Sequence, residues 1–150
     1  MDTPNFDNID PSVCVNAKLR KLHRLLNSAY QNKINPFGLR GSMLSILFII
    51  GKKKGVNQKT IADALVLDQS TMSRDLKKLV QKGWVVRTKG ADSRNTQLAL
   101  TDEGYALLEE VTPVWEALQT KIAGILGNFN IQQIDQITGA IKANLPELKK

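Results

Sequence analysis

Between Gln69 and Lys77 the chain sets Gln69, Ser70, Thr71, Ser73, Arg74 and Lys77 around an apolar series, Met72, Leu76, Leu79 and Val80, spaced three and four residues apart. That spacing predicts an amphipathic helix whose outer face consists of hydrogen-bonding groups. Short Ser and Thr hydroxyls let such a helix come close to a surface, while Arg and Gln reach further, a combination suited to base edges and phosphates. A second set follows from Lys89 to Asn95, where a turn-rich tip carries Arg94 two residues after Asp92. A carboxylate that orients an arginine at such a tip suits a narrow minor groove. The alternative is that Asp92 and Arg94 only pin the tip to itself.

Other chemistry is poorly supplied. His23 is the only histidine and Cys14 the only cysteine in 150 residues. No internal disulfide can form, and the roughly four ligands of a structural zinc site are not available, so no metal or cofactor is expected. An enzyme would need nucleophile, base and acid brought together, and no motif here offers that set. Cys14 reads as a small, half-buried helical residue, with redox sensing as the alternative. His23 reads as a surface or interface side chain.

The position of the charge says more than its size. The formal net charge is +7, and residues 40–94 alone hold 12 Lys/Arg against 4 Asp/Glu, while residues 1–39 carry +2 and residues 95–150 carry −3. A basic middle suggests a face built for a polyanion, because neutralising phosphates releases counterions. A basic surface kept for solubility is the alternative. With 42% hydrophobic and 23% charged residues the chain should fold, and 150 residues suit a single domain. Its longest apolar run, Met43 to Ile50, is broken by Ser45 and falls well short of the roughly 20 residues that span a bilayer. The amino terminus carries Asp2, Asp7 and Asp10 in place of a basic apolar leader, so a cytoplasmic location is expected.

The elements that must position these groups follow from pattern. From Pro11 to about Tyr30, Val15, Leu19, Leu22, Leu25, Leu26 and Ala29 recur at helical spacing. Asn35, Pro36 and Gly38 interrupt, and Ser42 is placed to cap an apolar helix ending at Gly51. Asn57 can cap a two-turn helix that turns Ile61, Ala62 and Leu65 inward, and Asp68 can cap the polar-faced helix that stops at Gly83. Trp84 to Thr88 and Thr96 to Leu100 read as two strands of a hairpin. Thr101, Asp102 and Glu103 then open a helix with Leu107, Leu108, Val111, Trp115, Leu118, Ile122 and Ile125 as its stripe, kinked at Pro113. A last helix from about Ile131 carries Ile134, Ile137, Ile141 and Leu145 and ends at Pro146.

Two short helices joined by a tight turn, followed at once by a basic hairpin, describe a winged helix-turn-helix. The predicted class is therefore mainly α with a small β-hairpin wing: a single domain over 1–150, a winged helix-turn-helix over 40–100, and flanking helices over 11–33 and 101–146. The apolar stripes of those flanking helices exceed what one winged domain can cover, so a homodimer is expected. RNA readers stack bases on exposed aromatics, and Gln69 to Lys82 contains none, which favours duplex DNA.

These residues resemble the MarR-type (multiple antibiotic resistance regulator) transcription regulators. The resemblance covers most of the chain and rests on Ser70-Thr-Met-Ser-Arg-Asp-Leu76 with Leu79 and Gly83-Trp-Val85, on Asp92-Ser-Arg94, and on Leu100-Thr-Asp-Glu-Gly104. It implies a homodimer whose terminal helices pair while two winged parts read the halves of a palindromic operator. It also implies repression relieved by a small aromatic or lipophilic ligand, bound where the dimerisation helices meet the winged part. Arg74 falls where the family places a DNA-contacting arginine. One branch senses peroxide through a cysteine in the first helix, but surrounds it with tyrosines, and Cys14 has none nearby in sequence.

Overall fold

The computed structural model describes residues 2–89 and 96–150. The described elements are α1 (Pro4–Asp7), α2 (Val15–Ile34), α3 (Met43–Lys52), α4 (Gln58–Leu65), α5 (Gln69–Gln81), β1 (Val85–Lys89), β2 (Thr96–Leu100) and α6 (Asp102–Leu148). The mainly helical class with one antiparallel hairpin is as the pattern predicted, and several boundaries differ. Pro11 to Val13 form a separate 3-10 turn, because Cys14 is extended (φ −61°, ψ 107°) and α2 begins only after it. Ser42 precedes α3 without capping it: its backbone is already helical at φ −87°, ψ 0°, and its side chain accepts no bond. A capping residue needs extended backbone for its oxygen to turn back on the helix amides.

The break between the two C-terminal helices falls in the expected gap between Ile125 and Ile131, whereas the kink expected at Pro113 and the end expected at Pro146 are not found. Backbone angles stay helical through Pro113 and Pro146, and the departure falls at Gly127, with φ 74° and ψ 152°. Only a residue without Cβ enters that region cheaply. α6 is thus two rods, 102–126 and 128–148, joined at a glycine.

The core forms where α3, α4, α5, β1 and the first part of α6 meet. Leu39, Ile46, Leu47, Ile61, Met72, Leu76, Leu79, Val85 and Val111 are all fully buried. At about 1.5–3 kcal/mol for each large side chain removed from water, this cluster dominates the stability of the winged part. The strands pair with Val85 opposite Leu100 and Lys89 opposite Thr96. Leu98 N–H also donates to the Val56 carbonyl at 2.8 Å, tying the loop before α4 to the hairpin.

One joint fixes the hairpin to both neighbouring helices. Thr101 N–H donates to the Trp84 carbonyl, the Thr101 hydroxyl donates to the Gly83 carbonyl, and Gly104 N–H donates to Thr101 Oγ1 at 3.0 Å. A Cβ placed on Gly104 would lie 2.2 Å from the Trp84 carbonyl oxygen. Backbone cannot yield to that extent as a side chain would, so Gly104→Ala should destabilise the fold by about 1–3 kcal/mol or more. Gly139→Ala, where an added methyl meets nothing within 4 Å, should be neutral or stabilise by up to about 1 kcal/mol. Chemical denaturation of the two variants side by side checks the pair.

Candidate nucleic-acid interface

The turn between α4 and α5 sets the polar helix at the surface. Asn57 accepts from Thr60 N–H at 2.9 Å to start α4, and α4 ends at Val66, a β-branched residue held left-handed at φ 52°, ψ 42°. Asp68 starts α5 by accepting from Thr71 N–H at 2.8 Å. The same carboxylate takes the Ser70 hydroxyl at 2.6 Å and the Thr71 hydroxyl at 2.7 Å. The Ser70 hydroxyl, followed by the Thr71 hydroxyl and amide, holds the Asp68 carboxyl well below the ordinary carboxylate range.

Gln69, Ser70, Ser73, Arg74 and Lys77 are exposed on α5 and Thr71 is half-buried, while Met72, Leu76 and Leu79 fill the core. Within the structure the Ser70 and Thr71 hydroxyls are engaged in the cap, and Ser73 Oγ accepts from Gln58 Nε2 of α4 at 2.9 Å. Gln58 was not anticipated, since a contact between helices leaves no mark in local spacing. Arg74 points outward while its neighbour Asp75 is 8% exposed and lies against Gly41, so the two do not pair. Among the described residues Arg74 has no acid partner. Lys89 is exposed at the end of β1; Asp92 and Arg94 lie outside the described residues. Lys82 sits 4.7 Å from the centre of the Trp84 ring as a cation–π contact at the wing base.

Behind this surface a cavity of about 690 Å³ lies between α2, α3 and α6. Tyr30 of α2 donates to Gln119 of α6 across it, and burial pushes the Tyr30 hydroxyl up from its ordinary value. Phe48 and Trp115 meet edge-on in its wall, with ring centroids 5.2 Å apart. Trp115 is therefore a wall residue, whereas Phe129 is 70% exposed. Cys14 is exposed at the start of α2, not half-buried as the helical pattern suggested, because the first half of α2 lies uncovered and its side chains from Val15 to Leu25 are exposed too. Among the described residues no group of three or more His, Cys, Asp or Glu could hold a metal, and no helix is long and apolar enough to cross a membrane.

A two-helix unit with a surface-facing second helix, a hairpin behind it and long flanking helices is a winged helix-turn-helix protein. The MarR family model matches residues 42–96. A helix-turn-helix transcriptional regulator of Bacillus subtilis, YwoH, is 33% identical over 88 residues, which cover 59% of this chain and 64% of that protein. The solved structure of MosR, a transcriptional regulator of M. tuberculosis in complex with DNA, aligns with a TM-score of 0.76 at 26% identity over 87% of this chain and 97% of that one. CouR of Rhodococcus jostii bound to p-coumaroyl-CoA aligns with a TM-score of 0.75 at 26% identity, covering 87% of this chain and 92% of that one. Residues 42–96 are thus similar to the MarR family, and the chain spans somewhat less than two thirds of the length of the curated relatives it matches.

The Asp68 cap yields a pH-dependent outcome. A carboxylate depressed in the fold stabilises it above the ordinary value of 3.8, and that stability drains away as pH falls below it. Asp68→Ala should lower the melting temperature by about 2–4 °C at neutral pH. The gap from the parent should close as the solution is acidified below 3.8. Melting curves of both proteins across pH test this, and a constant gap would contradict it.

Proposed function

We propose that the protein is a dimeric, sequence-specific DNA-binding transcription regulator, a cytoplasmic repressor of the MarR type released from DNA by a small ligand. The observation that carries this reading is the exposed polar face of α5, with Gln69, Arg74 and Lys77 uncovered beside a basic hairpin. α5 would enter the major groove, about 12 Å wide, with Arg74 and Gln69 at base edges and Ser70, Thr71, Ser73 and Lys77 close to the backbone. Lys89 and Arg94, the latter oriented by Asp92, would follow the hairpin to the backbone and minor groove. The stretch 40–100 acts as the reading part, and 11–33 with 101–146 as the dimerisation helices. The DNA solved with MosR supports the first half of this reading, and the p-coumaroyl-CoA solved with CouR supports ligand control.

The dimer follows from unpartnered apolar surface. Val15, Leu19, Leu22 and Leu25 on α2, and Ile125, Phe129, Ile134, Ile137 and Ile141 along the end of α6, all remain exposed. A second copy can cover both stretches at once by two-fold pairing.

Selection of duplexes from a random pool should return a palindrome, with affinity falling steeply as salt rises, by a log–log slope of roughly −5 or steeper for six or more phosphate contacts. Arg74→Ala should cost roughly 1–3 kcal/mol on the selected site and relax discrimination at one position of each half. Equal weakening on every sequence would make Arg74 a phosphate contact instead. Sedimentation at low micromolar concentration should give twice the 16.6 kDa chain mass, and Ile137→Asp should lower the dimer fraction; a folded parent monomer would overturn the pairing.

A further inference from the structure

The hydroxyls of Ser70, Thr71 and Ser73 all belong to the polar side of α5, and the bonds around them divide them into two kinds. A hydroxyl has one proton to give and two lone pairs with which to accept. Ser70 and Thr71 give their protons to the Asp68 carboxylate, at 2.6 Å and 2.7 Å. An ionised carboxylate only accepts, so outward these two hydroxyls offer lone pairs. Ser73 is the reverse case. Its Oγ accepts from Gln58 Nε2 at 2.9 Å, and among the described residues no acceptor takes its proton.

Gln58 is placed to impose this polarity. It is the half-buried first residue of α4, and the helix start beneath it is held by Asn57, which accepts from the Thr60 amide at 2.9 Å and the Thr60 hydroxyl at 3.0 Å. Ser73 is exposed beside Arg74, while Met72 and Leu76 on the other side of α5 are buried. An amide that occupies a Ser73 lone pair from the α4 side leaves the proton to turn away from α4, toward solvent. Duplex DNA offers acceptors to such a donor, because phosphate oxygens and purine N7 atoms have lone pairs and no proton.

Resting on the reading of α5 as the helix that meets DNA, we propose that Gln58 is a positioning residue for recognition, which fixes Ser73 as a hydrogen-bond donor to a phosphate oxygen or a purine N7. Its effect passes through the shared hydroxyl and needs no contact between Gln58 and the duplex. Ser70 and Thr71 do not replace that donor while Asp68 holds their protons.

The test uses the full chain and the duplex returned by selection from a random pool, with affinity read by fluorescence anisotropy at one salt concentration. Ser73→Ala should weaken binding by about tenfold and Gln58→Met by about threefold, the range of one hydrogen bond. The double variant should be no weaker than Ser73→Ala alone, since both remove the same contact. Gln58→Glu can only accept, and so draws the Ser73 proton inward. It should weaken binding by about tenfold or more, and by clearly less in the Ser73→Ala background, where only the added charge remains. Duplexes with a single methylphosphonate or a single 7-deazapurine in each half locate the acceptor: one such substitution should weaken the parent and leave Ser73→Ala unchanged. Loss of a merely structural bond between α4 and α5 would not produce that map. If Gln58→Glu weakens binding equally in both backgrounds, if the single effects of Gln58→Met and Ser73→Ala multiply, or if no substituted duplex separates Ser73→Ala from the parent, the proposal is overturned while the DNA-binding reading stands. If the parent selects no duplex, that reading fails with it.

Discussion

The close approach of Gly104 to the Trp84 carbonyl holds the rest of the molecule in register. At that point the end of α5, the start of β1 and the start of α6 converge, and Thr101 bonds to two consecutive carbonyls, those of Gly83 and Trp84. α5, the hairpin and α6 therefore share one backbone anchor. Because the contact is between main-chain groups, it leaves little room for these three elements to shift independently. Apolar burial at Leu76, Leu79, Val85 and Val111 then locks the arrangement from beneath.

Charge and apolar surface are divided along the chain in a way that suits two separate partners. The polar side of α5 is uncovered, with its hydrophobic stripe already used by the core. The ends of the chain show the reverse: apolar side chains remain exposed on α2 and the second rod of α6. Each surface thus lacks what the other offers, and neither competes for the same binding area.

Local features were legible in sequence, and distant ones were not. Asn57, Asp68 and Thr101 cap their helices as anticipated, since a cap involves residues two or three apart. The hairpin also followed from composition, with Leu98 and Leu100 facing the core. Ser42 failed as a cap because Gly41 and Arg40 already turn the chain into α3, a matter of backbone that residue type does not record. Pro113 was a reasonable place to expect a kink, yet it keeps helical angles, while the break at Gly127 falls in the gap that the pattern left between Ile125 and Ile131. Within the candidate interface, the exposure of Gln69, Arg74 and Lys77 was readable from periodicity. The inward turn of Asp75 and the bond from Gln58 to Ser73 were not, because both depend on packing between helices. The cavity joins Tyr30 to Gln119, and no local pattern connects residues so far apart.

The glycine at 127 gives α6 the mechanics of a lever. The rod from Asp102 to Leu126 is roughly 37 Å long at 1.5 Å per residue. Its far end is pinned beside the wing by Thr101 and Gly104, and its near end meets Gly127. A tilt of about 5° at that joint carries the far end through roughly 3 Å, an estimate from the rod's length alone. A small change of angle at Gly127 is therefore magnified beside the wing. The one residue in α6 with non-helical angles is the point about which such a tilt would turn.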